Sequence, residues 1–436
     1  MKHPSRLPLL VIADRRGNIT EHPSLTMTGM SAGVCAHLSP TDLIPLPAGS
    51  ELFALPGRLP VGRGPDGETV IVESHPHDGG PVQAVAAFMA PAHTLLYNAA
   101  WHRLEAAPTL PLFAFAAVGW LAGRFWAAGF RSDPDRRQDM ALIDPQKLIS
   151  QTKRRLARSP GNRLIQHLGQ CCLTYGCPAA RNFFLGRFEA PLPTSPRCNA
   201  RCLGCISLQE SGCCRSTQER ITFVPSPAEI AEIAIPHLRQ ANAAVVSFGQ
   251  GCEGEPLLQA AVIEESIKTI RKQTSRGTIN LNSNASRPEA VARLAEAGLD
   301  SLRVSLNSVR EPLYNAYYRP GGYGFGDVKE SIRRMKKAGR FVSLNYFLQP
   351  GLTDSRDEYE ALVDFLGELQ PDMIQLRNLN MDPDWYFASM PKGASHEPMG
   401  IAVWLDKLRG QFPALAFGYF NPCLDAALEP KKSFLS

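Results

Sequence analysis

The second half of the chain alternates between short apolar runs and longer amphipathic stretches. Apolar runs of this length predict strands, whereas apolar residues repeated at three- and four-residue spacing predict helices. One strand is predicted just before Cys198, and further strands at 243–248, 278–282, 301–306, 341–348 and 373–379. Helices are predicted at 227–240, 257–273, 287–297, 326–338, 356–369 and 401–409. The pattern therefore predicts a series of strand–helix units.

Alternation of this kind favours parallel strands joined by right-handed crossovers. We therefore expect an α/β fold in which residues 183–390 form a partial parallel (β/α)6 TIM-like barrel and residues 391–436 a C-terminal extension. The chain lacks room for eight such units beside a cysteine-rich loop and a tail. A doubly wound sheet is the alternative, which periodicity does not exclude.

The first part of the chain has a different pattern. Short apolar stretches alternate with proline and glycine, which predicts an N-terminal β-rich or mixed domain at 1–135 with helical patches around 82–89 and 110–129. A polar break near residue 135 leads into a helical connector with a cysteine-rich end, 136–182. From a length of 436 residues we also expect two or three domains.

Composition narrows the class of protein. The chain is 44% hydrophobic and 20% charged, and 46 basic against 41 acidic side chains give a net charge of +5. That excess is too small for a dedicated nucleic-acid binder, so nucleic acid is not expected as a partner. The opening residues do not resemble a signal peptide, and the long apolar run at 110–130 is interrupted by Arg124. We therefore expect a cytoplasmic protein without a membrane partner.

The number and spacing of the cysteines indicate which chemistry the chain performs. Eight of the eleven cysteines lie between residues 171 and 214, and in a reducing compartment such clustering indicates metal ligation before disulfides. Cys198, Cys202 and Cys205 have the spacing C-x3-C-x2-C. Three thiolates on one loop can hold three irons of a [4Fe-4S] cluster and leave the fourth open. A zinc site would instead favour four ligands, usually as two C-x2-C pairs.

This motif resembles the signature of the radical S-adenosylmethionine (radical SAM) superfamily, which also follows the first barrel strand. The resemblance covers residues 183–385. It implies that Cys198, Cys202 and Cys205 are the metal ligands and catalytic residues of a [4Fe-4S] cluster, and that S-adenosylmethionine binds the open iron. Reductive cleavage would then give methionine and a 5′-deoxyadenosyl radical, with electrons from a low-potential flavodoxin- or ferredoxin-like donor. Such chemistry is oxygen-sensitive.

A second motif supports the resemblance. Residues 251–256 read Gly-Cys-Glu-Gly-Glu-Pro and resemble the family's Gly-Gly-Glu-Pro turn, which binds the methionyl amine, although Glu253 stands where the first glycine would be. The polar residues at the ends of the later strands could instead be ordinary turn residues, and Arg319 a surface ion-pair partner. The cofactor-binding residues implied by the resemblance are Gly254 and Glu255 for the amine, Ser305 or Asn307 for the ribose with Asn282 or Asn284 nearby, and Arg319 for the carboxylate.

Several alternatives stay open. The remaining cysteines either supply ligands to an auxiliary iron–sulfur cluster or are buried thiols; they are Cys171, Cys172, Cys177, Cys213, Cys214, Cys252 and Cys423. The substrate is either a peptide or protein side chain or a small metabolite or cofactor precursor. A hypothesis from another class is an iron–sulfur or zinc protein that binds or senses without turning over S-adenosylmethionine.

Overall fold

The computed structural model describes residues 3–136, 139–209, 212, 214–394 and 397–425. These residues divide into two compact units. The first comprises the chain up to Leu142 together with Phe347–Leu362 and Leu376–Phe412, and the second comprises Ile143–Tyr346, Val363–Gln375 and the described residues from Pro413 onwards. The units do not follow single stretches of sequence, and the domain boundaries expected from the sequence stay predictions.

The first unit is built on antiparallel β-structure. Its strands are β1 (Leu9–Ala13), β2 (Ile19–Met27), β3 (Gly29–Ser31), β4 (Val34–Ala36), β5 (Leu43–Pro45), β6 (Glu51–Leu55), β7 (Arg58–Arg63), β8 (Thr69–Ile71), β9 (Gln83–Phe88), β10 (His93–Leu95), β11 (Asn98–Ala99), β12 (Trp101–Arg103), β13 (Val118–Leu121) and β14 (Arg124–Arg131). Among the described residues, β3, β4 and β11 form one sheet and the other strands a second, in which β1 pairs with β2, β9 and β13. The predicted β-rich character is confirmed.

The helical patches predicted in this region are wrong. Residues 83–88 form β9, and most of 118–131 forms a hairpin of β13 and β14. The hairpin turns at Ala122 and Gly123, which both adopt positive φ angles of 51° and 76°, the backbone that a two-residue hairpin turn requires. The strands are rich in alanine and buried on both faces, and a continuous apolar run does not distinguish a strand from a buried helix.

A buried ion pair stabilises the first unit. The side chain of Arg58 is fully buried, and its Nη2 donates to Asp382 Oδ2 at 2.7 Å. Its Nη1 donates to the carbonyl of Pro108 at 2.9 Å. Asp382 also accepts a hydrogen bond from the backbone N–H of Leu110 at 2.9 Å. A charge removed from water in this way requires its partner.

The remainder of the chain contains the alternating elements. The helices are α1 (Pro145–Arg158), α2 (Arg163–Leu173), α3 (Pro178–Phe184), α4 (Pro227–Gln240), α5 (Ala260–Gln273), α6 (Pro288–Ala297), α7 (Glu311–Tyr318), α8 (Phe325–Lys337), α9 (Arg356–Leu369), α10 (Pro383–Ser389) and α11 (Ile401–Gln411). The strands are β15 (Glu189–Leu192), β16 (Val245–Phe248), β17 (Thr278–Ser283), β18 (Ser301–Leu306), β19 (Phe341–Leu348), β20 (Met373–Asn378) and β21 (Ala416–Gly418). The predicted strands and helices are confirmed almost to the residue.

The order of these strands decides between the two predicted sheets. Within the described residues β15 to β21 form one sheet in sequence order, and β15 to β19 pair in parallel, as do β20 and β21. A doubly wound sheet would reverse its order at a switch point, and this sheet does not. The predicted partial (β/α) barrel is confirmed, with β21 as a strand beyond the expected six.

Local signals explain why the elements begin and end where they do. Ser226 caps α4 in a capping box with Glu229, and Pro227 occupies the first turn. Gly298 ends α6 in the left-handed conformation, with a φ of 112°. No helix within the described ranges combines the length and apolar character needed to cross a bilayer.

Candidate metal and cofactor site

The three motif cysteines lie on the loop that follows β15; residues 194–207 are called the cysteine loop below. Cys198, Cys202 and Cys205 are partly buried and carry free thiols. Burial raises the pKa of Cys198 to about 11, and burial together with the charges of Cys198 and Cys205 raises the pKa of Cys202. The three thiols are therefore close enough for the charge of one to affect the pKa of another.

The surroundings of these thiols fit a group held by three thiolates. The guanidinium of Arg220 donates from Nη2 to Cys205 Sγ at 3.4 Å and from Nε to Ser207 Oγ at 3.1 Å. A cation at this place offsets the negative charge that metal-bound thiolates carry. A bound metal would also replace the thiol protons that burial otherwise retains. The donor set therefore suits the [4Fe-4S] cluster implied by the sequence.

The cysteine loop is fixed by backbone pairing to the segment that ends α7. The N–H of Arg201 donates to the carbonyl of Tyr318 at 3.0 Å, and the N–H of Leu203 donates to that of Tyr317 at 3.0 Å. Gly321 N–H donates to the carbonyl of Asn199 at 2.8 Å. Arg319 sits within this pairing as an exposed residue with a φ of 48°. The structure thus brings Arg319 beside the cysteine loop.

The second motif forms a tight turn after β16; residues 249–255 are called the glycine turn below. A Cβ on Gly254 would lie 2.0 Å from the carbonyl oxygen of Arg197, and one on Gly249 would lie 1.7 Å from that of Asn282. Only glycine allows the backbone to approach this closely. Gly254 N–H also donates to the Ser195 carbonyl at 2.7 Å. The glycine turn is therefore in contact with the base of the cysteine loop.

Glu253, the residue that departs from the family pattern, clamps the two loops together. Its buried carboxylate accepts the N–H groups of Thr194 and Ser195 at 2.8 and 2.9 Å through Oε2, and the N–H of Gln250 at 2.7 Å through Oε1. Burial raises its pKa to about 7, and these hydrogen bonds act in the opposite direction. Glu253 thus holds the start of the cysteine loop against the glycine turn.

Glu255 and Asn284 continue this connection to the end of β17. Burial raises the pKa of the Glu255 carboxylate. This carboxylate accepts hydrogen bonds from the Ser283 hydroxyl at 2.6 Å and from the N–H of Asn284 at 2.9 Å. The Asn284 amide donates to Asn199 Oδ1 in the cysteine loop at 2.9 Å. The resemblance implied that Gly254, Glu255 and Asn284 bind the cofactor; the structure places them around the cysteine loop, and their contact with a cofactor stays a prediction.

The other predicted residues lie on neighbouring strands with partners of their own. Asn282 donates to the carbonyl of Gly249 at 2.7 Å. Ser305, on β18, accepts a hydrogen bond from Asn345 at 3.4 Å. Asn307 is buried and donates to the carbonyl of Leu313 at 3.1 Å, at the start of α7. Asn282 therefore shapes the glycine turn, whereas Asn307 supports the helix before Arg319.

Sequence reasoning missed a buried polar group in the second unit. Asn421, from the C-terminal extension, donates to Glu189 at 2.8 Å and accepts from Gln375 at 3.0 Å. Ser247 also donates to Glu189, at 2.6 Å. No local pattern marks Asn421, because its partners come from distant parts of the sequence.

Of the other cysteines, Cys213 lies outside the described residues.

Part of the chain is similar in sequence to known proteins. Residues 192–366 match the model of the Radical SAM superfamily. The chain is 26% identical over 178 residues to FeMo cofactor biosynthesis protein NifB of Klebsiella pneumoniae, covering 38% of each chain. It is 26% identical over 195 residues to GTP 3′,8-cyclase of Lactiplantibacillus plantarum, covering 44% of this chain and 53% of the relative. The chain thus spans less than two thirds of either relative.

Solved structures are similar at a lower level. The crystal structure of HydG, a maturase of the [FeFe]-hydrogenase, gives a TM-score of 0.35 at 14% identity, covering 63% of this chain and 68% of that one. The matched span, 192–366, begins at the end of β15 and includes the cysteine loop, the glycine turn and the strand ends described above. Over this span, the chain is similar to the Radical SAM superfamily.

Proposed function

We propose that this chain is a radical SAM enzyme in which Cys198, Cys202 and Cys205 hold a [4Fe-4S] cluster. The observation that carries the proposal is that the loop with the three partly buried thiols is hydrogen-bonded to a glycine turn at the carboxyl end of β16. When bound, the cluster supplies the electron that cleaves S-adenosylmethionine into methionine and a 5′-deoxyadenosyl radical, which abstracts hydrogen from an organic substrate. This role distinguishes the chain from an iron–sulfur or zinc protein without turnover.

The residues around the thiols have separate tasks in this proposal. The cysteines bind the metal, and Arg220 offsets the charge of Cys205. Glu253 and Glu255 are positioning residues, because their carboxylates are engaged by the loops they connect. Gly254 lets the turn approach the cysteine loop. Together they hold the loop in one geometry, and this preorganisation favours reaction over side reactions.

The cofactor contacts extend along the strand ends. We assign the methionyl amine to the backbone of the glycine turn at Gly254 and Glu255, and the methionyl carboxylate to Arg319, whose guanidinium suits bidentate pairing. We assign the sugar to Asn284 and Ser305, which lie on or directly after the neighbouring strands β17 and β18. Asn282 and Asn307 instead hold the backbone at Gly249 and Leu313.

Small molecules are favoured as substrates. The names of the two curated relatives refer to cofactor biosynthesis and to cyclisation of GTP. A small metabolite or cofactor precursor is therefore the substrate class that we propose over a peptide. Since metal-binding cysteines need reducing conditions, we also place the protein in the cytoplasm, with a flavodoxin- or ferredoxin-like donor and sensitivity to oxygen.

The test of the proposal is anaerobic turnover. The full chain is reconstituted with iron and sulfide, reduced with dithionite and given S-adenosylmethionine, and 5′-deoxyadenosine is quantified. We expect product from the wild type and from Cys35→Ala, whose thiol is exposed, and none from Cys198→Ala, Cys202→Ala or Cys205→Ala. Fully reconstituted protein without product would contradict the proposal.

The substrate class has its own test. The low-molecular-weight fraction and the protein fraction of a cell extract are added separately to the reconstituted enzyme. We expect the small-molecule fraction to stimulate formation of 5′-deoxyadenosine. Stimulation by the protein fraction alone would instead indicate a peptide substrate.

A further inference from the structure

A second group of metal-ligating side chains lies in the second unit, outside the three motif cysteines. It consists of His167, Cys171 and Cys252, whose ligand atoms all lie within 4.8 Å of one another. The Sγ of Cys171 is 3.5 Å from Nε2 of His167. Cys171 and Cys252 are only 1% and 3% exposed. Two thiols and an imidazole are thus gathered in a nearly water-free place.

Two elements bring these residues together. His167 and Cys171 are four residues apart on α2, which places them on the same face of the helix. Cys252 comes from the glycine turn, between Gly251 and Glu253. The group therefore joins a connector helix to the turn that supports the cysteine loop.

Cys177, at the start of α3, is close along the chain but is not one of the three residues whose ligand atoms lie within 4.8 Å of one another. Cys177 is the N-terminal flanking residue of this helix, and its N–H donates to the carbonyl of Cys171 at 3.0 Å. This hydrogen bond folds the chain after α2 back towards Cys171. Cys172, by contrast, is next to Cys171 but directs its thiol to Thr152 Oγ1 at 3.5 Å. Cys172 is therefore not a ligand in this group.

The distances between the ligand atoms distinguish a site for a single ion from a site for an iron–sulfur cluster. Tetrahedral zinc has Zn–S bonds of about 2.3 Å and Zn–N bonds of about 2.0 Å, which put ligand atoms roughly 3.5–3.8 Å apart. Thiolates on different irons of a cubane lie farther apart, because irons and sulfides separate them. Ligand atoms gathered within 4.8 Å thus suit one ion.

We propose that His167, Cys171 and Cys252 bind one metal ion of the zinc class. The ion is structural, because its two thiolate ligands are nearly inaccessible to solvent. It fastens α2 to the glycine turn, and so supports the residues that hold the cysteine loop. Two of the remaining cysteines therefore serve this site, and an auxiliary iron–sulfur cluster is not formed from them.

The test measures metal content independently of catalysis. The full chain with Cys198, Cys202 and Cys205 all replaced by alanine is purified without iron–sulfur reconstitution, so that the motif cysteines hold no zinc. Elemental analysis is expected to give one zinc per chain. Adding Cys252→Ser or Cys171→Ser should abolish this zinc, whereas the matched control Cys172→Ser, on the same helix and equally buried, should retain it.

A second measurement covers the case in which a serine variant fails to fold. Zinc is removed from the triple-alanine protein by a chelator, and Co²⁺ is added. Tetrahedral thiolate ligation predicts intense visible absorption and charge-transfer bands, which one equivalent of Zn²⁺ removes. Absence of both zinc and the cobalt spectrum would overturn the proposal, as would an iron–sulfur chromophore that depends on Cys171 and Cys252. These results leave the radical SAM assignment untouched, since that depends on 5′-deoxyadenosine formation.

Discussion

Replacing Glu253 gives the sharpest test of how the site is held together. In Glu253→Ala the N–H groups of Thr194, Ser195 and Gln250 lose the carboxylate that they share. A buried N–H without a partner costs about 1–3 kcal/mol, so three such groups predict a loss of at least ~3 kcal/mol. Because the contacts join two loops, the loss should appear first as local opening of the cysteine loop.

The magnitude can be read from hydrogen exchange at those amides. A loss of ~3 kcal/mol in local stability corresponds to roughly 100-fold faster exchange, since every 1.4 kcal/mol is tenfold. Glu253→Gln should lie in between, because its carbonyl oxygen can replace Oε2, which accepts from Thr194 and Ser195, but its NH₂ then faces the N–H of Gln250. The cost of that single lost contact is about 1–3 kcal/mol.

A control fixes the baseline for this comparison. Glu265 is exposed on α5, so Glu265→Ala should change stability by no more than about 0.5 kcal/mol. If the amides of Thr194 and Ser195 exchange equally fast in Glu253→Ala and in the wild type, the carboxylate does not hold the loop and the reasoning is refuted.

Three further predictions concern stability, each followed by urea denaturation. Gly254→Ala places a methyl group against a backbone carbonyl at 2.0 Å and should cost at least about 1–3 kcal/mol, whereas Gly367→Ala, in open space on α9, should stabilise by about 0.5–1 kcal/mol. Arg58→Met leaves a buried carboxylate unpaired and should cost about 3–5 kcal/mol. Burial lowers the pKa of His237, so the unfolded chain binds more protons and stability falls as the pH drops below about 6.5; His237→Gln should reduce this dependence, and exposed His102→Gln should not.

Each of these predictions has an outcome that would contradict it. Equal midpoints for Gly254→Ala and Gly367→Ala would mean that the glycine turn can move away from the cysteine loop. A stable Arg58→Met variant would show that its partner carboxylate reaches water. An unchanged pH dependence in His237→Gln would show that the imidazole, whose Nε2 lies 2.8 Å from the carbonyl of Phe188, is not held neutral by burial.

The strand–helix half of the fold could be predicted because its signals are local. Ser226, Pro227 and Glu229 mark the start of α4 within four residues, and short apolar runs mark parallel strands that are buried on both faces. The N-terminal region gave no such signal, since alanine-rich strands such as β9 are apolar at successive positions. There only the tertiary pairing decides between strand and helix.

The candidate site divides in the same way. Cys198, Cys202 and Cys205 lie within eight residues, so their spacing alone indicates the chemistry. The role of Glu253 could not be predicted, because its partners Thr194 and Ser195 are far away in sequence. From the sequence, Glu253 is only a departure from the family pattern, whereas in the structure it connects the cysteine loop to the glycine turn.

The second metal-ligating group shows the same limit of sequence patterns. The four-residue spacing of His167 and Cys171 suits two ligands on one helix face. Nothing in the sequence links them to Cys252, which only the folded glycine turn brings within 4.8 Å. Ligands contributed by distant elements escape motif reading for this reason.

Electron paramagnetic resonance of the reduced protein, with and without S-adenosylmethionine, tests the central claim most directly. If three cysteines hold a [4Fe-4S] cluster with one iron open to the cofactor, the reduced protein gives a cluster signal that changes in g-values on addition of S-adenosylmethionine. Cys198→Ala, Cys202→Ala and Cys205→Ala should each lose that signal, whereas Cys35→Ala keeps it. A cluster signal that is the same with and without S-adenosylmethionine would contradict the account.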